Sequence, residues 1–353
     1  MARDDWVDVG AAEELSHQPP QQARAMPESG SISLRQNAQR SRRREVMSEQ
    51  HSTERPVAQG ITQLEIDQRV FDLYDEYCHG RIDRREFLSR AASIALLGGT
   101  GLAMAQALLP RYAEAQTISF TDQRIKANYV GYPSPGGNSG SMRGYLVQPA
   151  GQGPFPVVLV VHENRGLNPY IEDVARRAAV EGFLALAPDG LFPVGGYPGN
   201  DDDGRTLQAG LDQAKLRTDL LNSARFLKAH KMSTGKLGVT GFCFGGGVVN
   251  YLAATLGQDM QAGAPYYGVA ADTASVAHIK APLLCHLAER DERVNATYPA
   301  FESALKAAGV AYQVHVYPGT QHGFHNNSTP RYNEAAAKLS WERTIAHFKK
   351  HLA

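Results

Sequence analysis

Hydrophobic and polar positions divide the chain into parts with different patterns. Residues 1–60 are rich in Gln, Ser, Arg and Glu and show no apolar repeat that would bury one face of a helix or strand. Residues 91–109 carry no charge, and from Thr117 onward short Val/Leu runs alternate with helical spacing. We therefore predict that residues 1–60 are disordered and that the last part forms a packed domain.

The pattern after Thr117 predicts strands that alternate with helices. The run 156–162 is almost entirely apolar, which is typical of a strand buried on both faces of a sheet. The predicted strands are 124–132, 142–148, 156–162, 183–187, 236–240, 263–268, 282–287 and 312–317. The predicted helices are 171–181, 207–230, 245–256, 296–308 and 332–351. This alternation indicates an α/β fold with a mainly parallel central sheet of about eight strands, flanked by helices on both faces.

Composition excludes several classes of protein. The 353 residues contain 36 Lys+Arg and 36 Asp+Glu, so there is no basic excess to neutralise the phosphates of a nucleic acid. Three cysteines without a CxxC pair argue against a disulfide framework and against a zinc site. With 42% hydrophobic residues the chain can build a substantial core. We expect a globular enzyme that does not bind nucleic acid, and we expect it to be a monomer.

Residues 81–115 have the order of features found in export signals. Arg84 and Arg85 precede Phe-Leu, the uncharged stretch 91–109 follows, and the triplet 113–115 (Ala-Glu-Ala) suits signal peptidase. The paired arginines resemble the twin-arginine signal, which implies the twin-arginine translocase and signal peptidase as partners and a periplasmic or secreted product. Two alternatives stay open: a buried helix of the domain, or an uncleaved membrane anchor, since 19 residues just span a bilayer.

These features predict three segments. Residues 47–115 are interpreted as a polar lead and signal peptide, and residues 116–353 as the catalytic domain. Export signals normally lie near the start of a chain, whereas more than 80 residues precede Arg84 here. Met47 would be a more natural start, so residues 1–46 are interpreted as a disordered or start-site extension.

One glycine-rich segment points to nucleophilic catalysis. Residues 241–245 (Gly-Phe-Cys-Phe-Gly) fall where a predicted strand meets a predicted helix, with the G-x-nucleophile-x-G spacing of a nucleophile elbow. Small residues are needed because the turn is tight, and the helix N-terminus favours a thiolate at Cys243. Taken alone, the segment fits a buried structural cysteine beside a packing turn equally well.

Candidate partners for Cys243 follow later strands. On this type of sheet the acid and then the histidine come just after strands that lie beyond the nucleophile. Asp291 follows strand 282–287 and His322 follows strand 312–317, in the expected order. Rival candidates for these acid and base roles are Glu289, Glu292 and His325. Two further histidines lie in or at the ends of strands and are predicted to be core or supporting residues: His162 and His286.

Three motifs together resemble dienelactone hydrolase (carboxymethylenebutenolidase), a family with the α/β-hydrolase fold. They are 160–167 (Val-Val-His-Glu-Asn-Arg-Gly-Leu), 241–246 (Gly-Phe-Cys-Phe-Gly-Gly) and 321–324 (Gln-His-Gly-Phe), within a resemblance that covers about residues 117–353. The resemblance implies four catalytic side chains: Cys243 as nucleophile, His322 as base and then acid, Asp291 as the carboxylate that orients it, and Glu163 as an aid to thiolate formation. It further implies an oxyanion hole made by the backbone N–H groups of Phe244 and Asn164.

The implied reaction is hydrolysis of a small-molecule carboxylic ester or lactone, without a metal or organic cofactor. A salt bridge to Arg165 is the alternative role for Glu163. The family's arginine four residues past the catalytic histidine is replaced by Asn326, which favours neutral substrates over carboxylated ones. Candidate substrate-binding residues are Arg165, Arg205 and Arg217.

Two other functions stay open from the sequence alone. The first is an acyl hydrolase of other specificity, for a thioester or a peptide. The second is a catalytically silent domain that binds a small ligand. The four candidate catalytic side chains argue against silence, since a binding protein does not need all of them.

Overall fold

The sheet has eight strands in the part of the chain that the computed structural model describes, which is residues 66–78, 81–94, 104–106 and 109–353. The strands are β1 (Ile125–Pro133), β2 (Ser141–Pro149), β3 (Phe155–Val161), β4 (Leu184–Pro188), β5 (Ser233–Phe242), β6 (Ala262–Tyr266), β7 (Leu283–Arg290) and β8 (Tyr312–Gln321). Their order is β1-β2-β4-β3-β5-β6-β7-β8, antiparallel up to the β2–β4 pair and parallel beyond it. The predicted α/β class and eight-stranded, mainly parallel sheet are confirmed.

Helices cover both faces of this sheet. They are α1 (Gln68–Cys78), α2 (Arg84–Ile94), α3 (Tyr112–Ala115), α4 (Pro169–Val180), α5 (Asp201–Gly210), α6 (Gln213–Lys228), α7 (Phe244–Leu256), α8 (Glu292–Asn295), α9 (Tyr298–Ala307) and α10 (Glu334–His351). Successive side chains of a strand point to opposite faces. Val157, Leu159 and Val161 of β3 therefore enter the core beneath α6, α7 and α9, while Val158 and Val160 enter the core beneath α4 and α10. This double burial explains the unbroken apolar run in the sequence.

The single helix predicted over 207–230 is wrong. The chain forms α5 and α6 there, separated by Leu211 in an extended conformation and by Asp212. The Asp212 side chain accepts hydrogen bonds from the backbone N–H groups of Ala214 and Lys215, which caps the start of α6. Aspartate stabilises a helix start better than a helix interior, so the cap outweighs the apolar spacing that continues across the break.

Helices α1 and α2 form a hairpin that belongs to the same compact unit as the sheet. They pack through a cluster of their own that includes Val70, Tyr74 and Phe87. Asp83 begins α2 by accepting a hydrogen bond from the backbone N–H of Glu86 (2.7 Å). This hairpin lies in the segment predicted to be a polar lead and signal peptide.

Several predictions for the N-terminal part fall outside the described residues. The predicted disorder of residues 1–60 is one of them, and most of the uncharged stretch 91–109 also lies outside these residues. Arg84 and Arg85 are described, and they lie in the first turn of α2. Across the ranges described, none of the helices combines the length and the apolar character that a membrane crossing requires.

Candidate active site

Cys243 lies at the strained turn between β5 and α7. Its φ of 54° and ψ of −112° belong to a region that residues other than glycine rarely adopt. A Cβ added to Gly241 would lie 2.4 Å from the carbonyl oxygen of Gly245, and one added to Gly245 would lie 2.4 Å from that of Val161. Only glycine fits at both positions without moving backbone, which is why the motif holds Cys243 at the carboxyl end of β5.

His322 and Asp291 form a buried pair beside this turn. Nδ1 of His322 donates to Oδ2 of Asp291 at 2.6 Å, and both residues are 5% exposed. Asp291 is oriented at the start of α8, where its side chain accepts the backbone N–H of Val294. Burial opposes the charged imidazolium, yet Asp291 and Cys243, both hydrogen-bonded to His322, raise its pKa well above the usual value. Burial also acts to raise the pKa of Asp291, but His322 lowers it overall.

The contacts of the rival residues separate them from this pair. Glu289 is exposed and accepts the backbone N–H of Gly319 (2.8 Å), while Glu292 is exposed in α8. Nδ1 of His325 is hydrogen-bonded to the hydroxyl of Tyr170 (2.7 Å), and burial holds the pKa of His325 well below its usual value. Two histidines have hydrogen-bond partners inside the core, as predicted: His162 and His286.

Glu163 follows β3 and is 1% exposed beside the thiol. Burial raises its pKa, Arg165 acts to lower it, and the charge of Cys243 acts to raise it. The Nε of Arg165 is 3.9 Å from Oε2 of Glu163, whereas Nη1 of Arg165 makes a closer pair with Asp201 at 2.7 Å. Glu163 therefore has a loose ion pair with Arg165 and an electrostatic contact with Cys243, so both predicted roles have a physical basis.

The two predicted oxyanion donors occupy different loops. Phe244 is the first residue of α7, where backbone N–H groups have no partner within the helix. Asn164 follows β3, and its side-chain Nδ2 donates to the carbonyl oxygen of Cys78 at 2.6 Å. Helix α1 thus contacts the loop that carries one of the donors. The oxyanion roles stay predictions.

The predicted substrate-binding arginines already have protein partners. Arg205 pairs with Asp202 at 3.1 Å, and its guanidinium lies 4.2 Å from the ring centre of Tyr77. Arg217 lies over a tyrosine ring and lines a mainly apolar cavity of about 980 Å³ that also reaches Phe244. Asn326 donates to Glu163 at 3.3 Å. Their roles toward substrate, and that of the buried Arg165, stay predictions.

Two buried side chains near the site were not identified from the sequence. Arg331 is 3% exposed, lies 4.6 Å above the ring of Tyr74, and lines a cavity of about 820 Å³ together with His322. Its Nε and Nη1 atoms have no hydrogen-bond partner among the described residues, so they can donate hydrogen bonds to a bound acceptor. The buried ring of Tyr267 packs 5.0 Å from that of His322. Arg331 belongs to no predicted motif, and Tyr267 falls in the predicted strand 263–268, whose apolar pattern indicates burial but not a place beside His322.

The assembled groups suit acyl transfer. A thiol at a helix N-terminus, an imidazole paired with a carboxylate and a second carboxylate of raised pKa supply a nucleophile and proton-transfer groups. In the part of the chain that the structure describes, no group of three or more His, Cys, Asp or Glu side chains is arranged to hold a metal ion.

Comparisons with known proteins identify the same region. A model of the dienelactone hydrolase family matches residues 142–352, and a second model, described as YqhI-like, matches residues 60–95. An Escherichia coli K12 hydrolase fragment, provisionally named YghX, is 62% identical over 114 residues, which cover 32% of this chain and 97% of the fragment. A protein of the same strain, provisionally named carboxymethylenebutenolidase, is 31% identical over 254 residues, which cover 67% of this chain and 92% of that protein. A crystal structure named as a provisional dienelactone hydrolase from Klebsiella pneumoniae has a TM-score of 0.56 at 27% identity, and covers 64% of this chain and 99% of its own.

Proposed function

The chain belongs to the dienelactone hydrolase family and is a hydrolase, and we propose that Cys243 is its nucleophile and that carboxylic esters or lactones are its substrates. The observation that carries the proposal is the contact of His322 with both Asp291 and Cys243 beside a strained elbow. The Asp291 carboxylate stabilises the imidazolium, and the imidazolium stabilises the thiolate. A nucleophile and a base oriented by a third group are the recognised signature of covalent catalysis.

In the proposed reaction the thiolate sulfur of Cys243 attacks the acyl carbon. A C–S bond forms, and the negative charge on the carbonyl oxygen is stabilised by the backbone N–H groups of Phe244 and Asn164. The C–O bond to the alcohol then breaks, and His322 gives its proton to the leaving oxygen. Water, deprotonated by His322, attacks the thioester and releases the carboxylic acid and the thiolate. Before the attack, when substrate occupies the site, Glu163 with its raised pKa receives the thiol proton, and it returns this proton to the sulfur after the acid has left.

Alkylation of the full chain tests the identity of the nucleophile. We expect iodoacetamide to label Cys243, which is half-buried, and to abolish hydrolysis of an aryl ester in parallel with the labelling. Cys285 is fully buried and burial raises its pKa to about 12, so it should stay unlabelled under the same brief treatment. Peptide mass spectrometry measures all three cysteines, including the buried Cys78. Full activity in protein labelled completely at Cys243 would contradict the proposal.

A matched set of substrates tests the substrate class. The enzyme should hydrolyse an aryl ester and a lactone, and a thioester and a peptide with the same acyl group serve as comparisons. The four rates are measured on the wild-type chain. A thioester or a peptide that is cleaved while both oxygen esters are not would replace the ester and lactone assignment with another acyl hydrolase.

We further propose export through the twin-arginine translocase. The proposal rests on Arg84 and Arg85, the uncharged stretch 91–109 and the triplet 113–115. Replacing both arginines by lysine should retain the protein in the cytoplasm, and exported wild-type protein should begin near Gln116. Cell fractionation and N-terminal sequencing measure these outcomes.

The control for the export test is the pair Arg81→Lys and Arg90→Lys, which makes the same chemical change outside the motif and should leave export unchanged. Unimpaired export of the Arg84→Lys/Arg85→Lys variant would remove the twin-arginine proposal. Full-length protein in the membrane fraction would favour an uncleaved anchor instead.

A further inference from the structure

The α1–α2 hairpin contacts three of the four loops that carry the proposed catalytic groups. Oε1 of Gln68, the first residue of α1, accepts hydrogen bonds from Nε2 of Gln321 at 2.7 Å and from Nη1 of Arg290 at 3.1 Å. Gln321 immediately precedes His322, and Arg290 immediately precedes Asp291. One side-chain oxygen therefore joins the base loop to the acid loop. The third contact is the carbonyl oxygen of Cys78, which holds the loop after β3 through Asn164.

The hydrogen-bonded pairing of β7 with β8 is interrupted just before these two loops. Strands β7 and β8 pair regularly as far as Ala288 and Tyr317, and the next pair is Arg290 with Gln321. One residue of β7 lies between these pairs, against three residues of β8, so the ladder is interrupted just before the catalytic pair. Gln68 is hydrogen-bonded to Arg290 and Gln321, which form the first pair after this interruption.

The hairpin is anchored on the domain independently of Gln68. Arg84 pairs with Asp202 at 3.3 Å, and the hydroxyl of Tyr77 donates to the same carboxylate. The ring of Tyr74 is fully buried against the guanidinium of Arg331. Nε2 of Gln68 donates to Oδ1 of Asp72 one turn further along α1, which orients Oε1 toward the loops. Loss of Gln68 therefore leaves the hairpin in place and removes its hydrogen bonds to Gln321 and Arg290.

We propose that Gln68 is a positioning residue that ties the acid loop to the base loop and so sets the contact between Asp291 and His322. This deepens the proposed cysteine hydrolase and rests on it. The hairpin that contains Gln68 lies within the segment matched by a separate family model, 60–95, outside the hydrolase match. In the full-length chain the hairpin thereby completes an active site whose chemical groups come from the hydrolase domain, and cleavage near Gln116 would remove this contribution.

Loss of the Gln68 connection should change the pH at which Cys243 becomes reactive. Asp291 raises the pKa of His322, which keeps the imidazolium next to Cys243 and favours the thiolate. A looser Asp291–His322 contact lowers the pKa of His322, so the thiolate forms only at higher pH. The pH midpoint of Cys243 alkylation therefore rises when the connection is removed.

The test compares Gln68→Ala with the combined variant Gln68→Glu/Asp72→Asn. It uses the full chain, because Gln68 lies before the predicted cleavage site. We expect Gln68→Ala to lower kcat for an aryl ester by about three- to tenfold, in line with the loss of hydrogen bonds at an exposed side chain, with KM nearly unchanged. The alkylation midpoint of Cys243 should rise by about half a pH unit. Gln68→Glu keeps an oxygen that accepts both bonds but cannot donate to Asp72, so it is combined with Asp72→Asn, whose amide N–H can donate to the new carboxylate. The pair should restore kcat and the midpoint to near wild-type values.

Two further variants make the result specific. Arg69→Ala is the matched control, since Arg69 is the next residue of α1, is exposed and pairs with Asp67, and it should leave both readouts unchanged. Gln321→Ala should reproduce the effect of Gln68→Ala, and the double variant should be no worse than either single one. Additive losses would overturn the proposal.

Wild-type values for Gln68→Ala, or an equal loss in Arg69→Ala, would also overturn it. If the wild-type chain hydrolyses no ester or lactone, the proposed function fails. The alkylation midpoints still decide the role of Gln68 in that case, because they require no substrate.

Discussion

Asp291→Asn is expected to lower kcat/KM for an aryl ester by about 10³-fold, since the corresponding change in serine-type triads costs a factor of this order or more. The carboxylate accepts the Nδ1 hydrogen of His322 at 2.6 Å and contributes to the raised pKa of His322. Asparagine has no charge to stabilise the imidazolium, and it can turn its amide N–H toward Nδ1, which favours the wrong tautomer. Steady-state kinetics over a range of pH measures the loss.

The control for this prediction is Glu289→Gln. Glu289 was a rival for the acid role, lies two residues away and is exposed, where it accepts the backbone N–H of Gly319. Its replacement should change kcat/KM by less than about threefold, because the rate depends on a carboxylate in contact with His322. Equal losses in the two variants, or an active Asp291→Asn enzyme, would contradict the assignment of Asp291.

Gly245→Ala is expected to lower the free energy of unfolding by about 3 kcal/mol. The new Cβ would lie 2.4 Å from the carbonyl oxygen of Val161 and 2.6 Å from that of His162, and both are backbone atoms of the neighbouring strand end. Strand β3 and helix α7 would have to separate, which also disturbs the elbow. Urea unfolding followed by circular dichroism measures the loss.

Gly210→Ala is the matched control for Gly245→Ala. Gly210 ends α5, and a Cβ added there meets no atom within 4 Å. Alanine has the higher helix propensity, so the variant should be as stable as wild type or slightly more stable. If Gly245→Ala unfolds at the same urea concentration as Gly210→Ala, the result would contradict the close packing of α7 against the end of β3.

The fold could be predicted because each strand carries its own signal. The predicted strand 156–162 is β3 within one residue, and the other strands also lie close to their predicted ranges. Buried parallel strands need apolar side chains on both faces, and this need is visible in a short window of sequence. The break between α5 and α6 was missed because the apolar spacing continues through Leu211, and the cap at Asp212 decides it.

Most of the candidate site could also be located from the sequence. The elbow motif is local, because its glycines must avoid backbone at a single turn. The positions of Asp291 and His322 follow from a rule of the fold, in which polar groups at the carboxyl ends of parallel strands meet at one edge of the sheet. The choice of Asp291 over Glu289 and Glu292 rested on the family resemblance, since three acidic residues follow the predicted strand within four positions. The structure adds the contact of Asp291 with His322.

The sequence by itself determined the α/β class, the strand pattern, the elbow and the order of the candidate catalytic groups, because these depend on periodicity and on short motifs. Tertiary structure alone decided that Asp291 faces His322, that Arg331 lies buried beside Tyr74, and that Gln68 reaches the catalytic loops. Gln68 and Gln321 are 253 positions apart. A contact of that kind depends on how the α1–α2 hairpin packs against the sheet, and no local pattern in either segment encodes it.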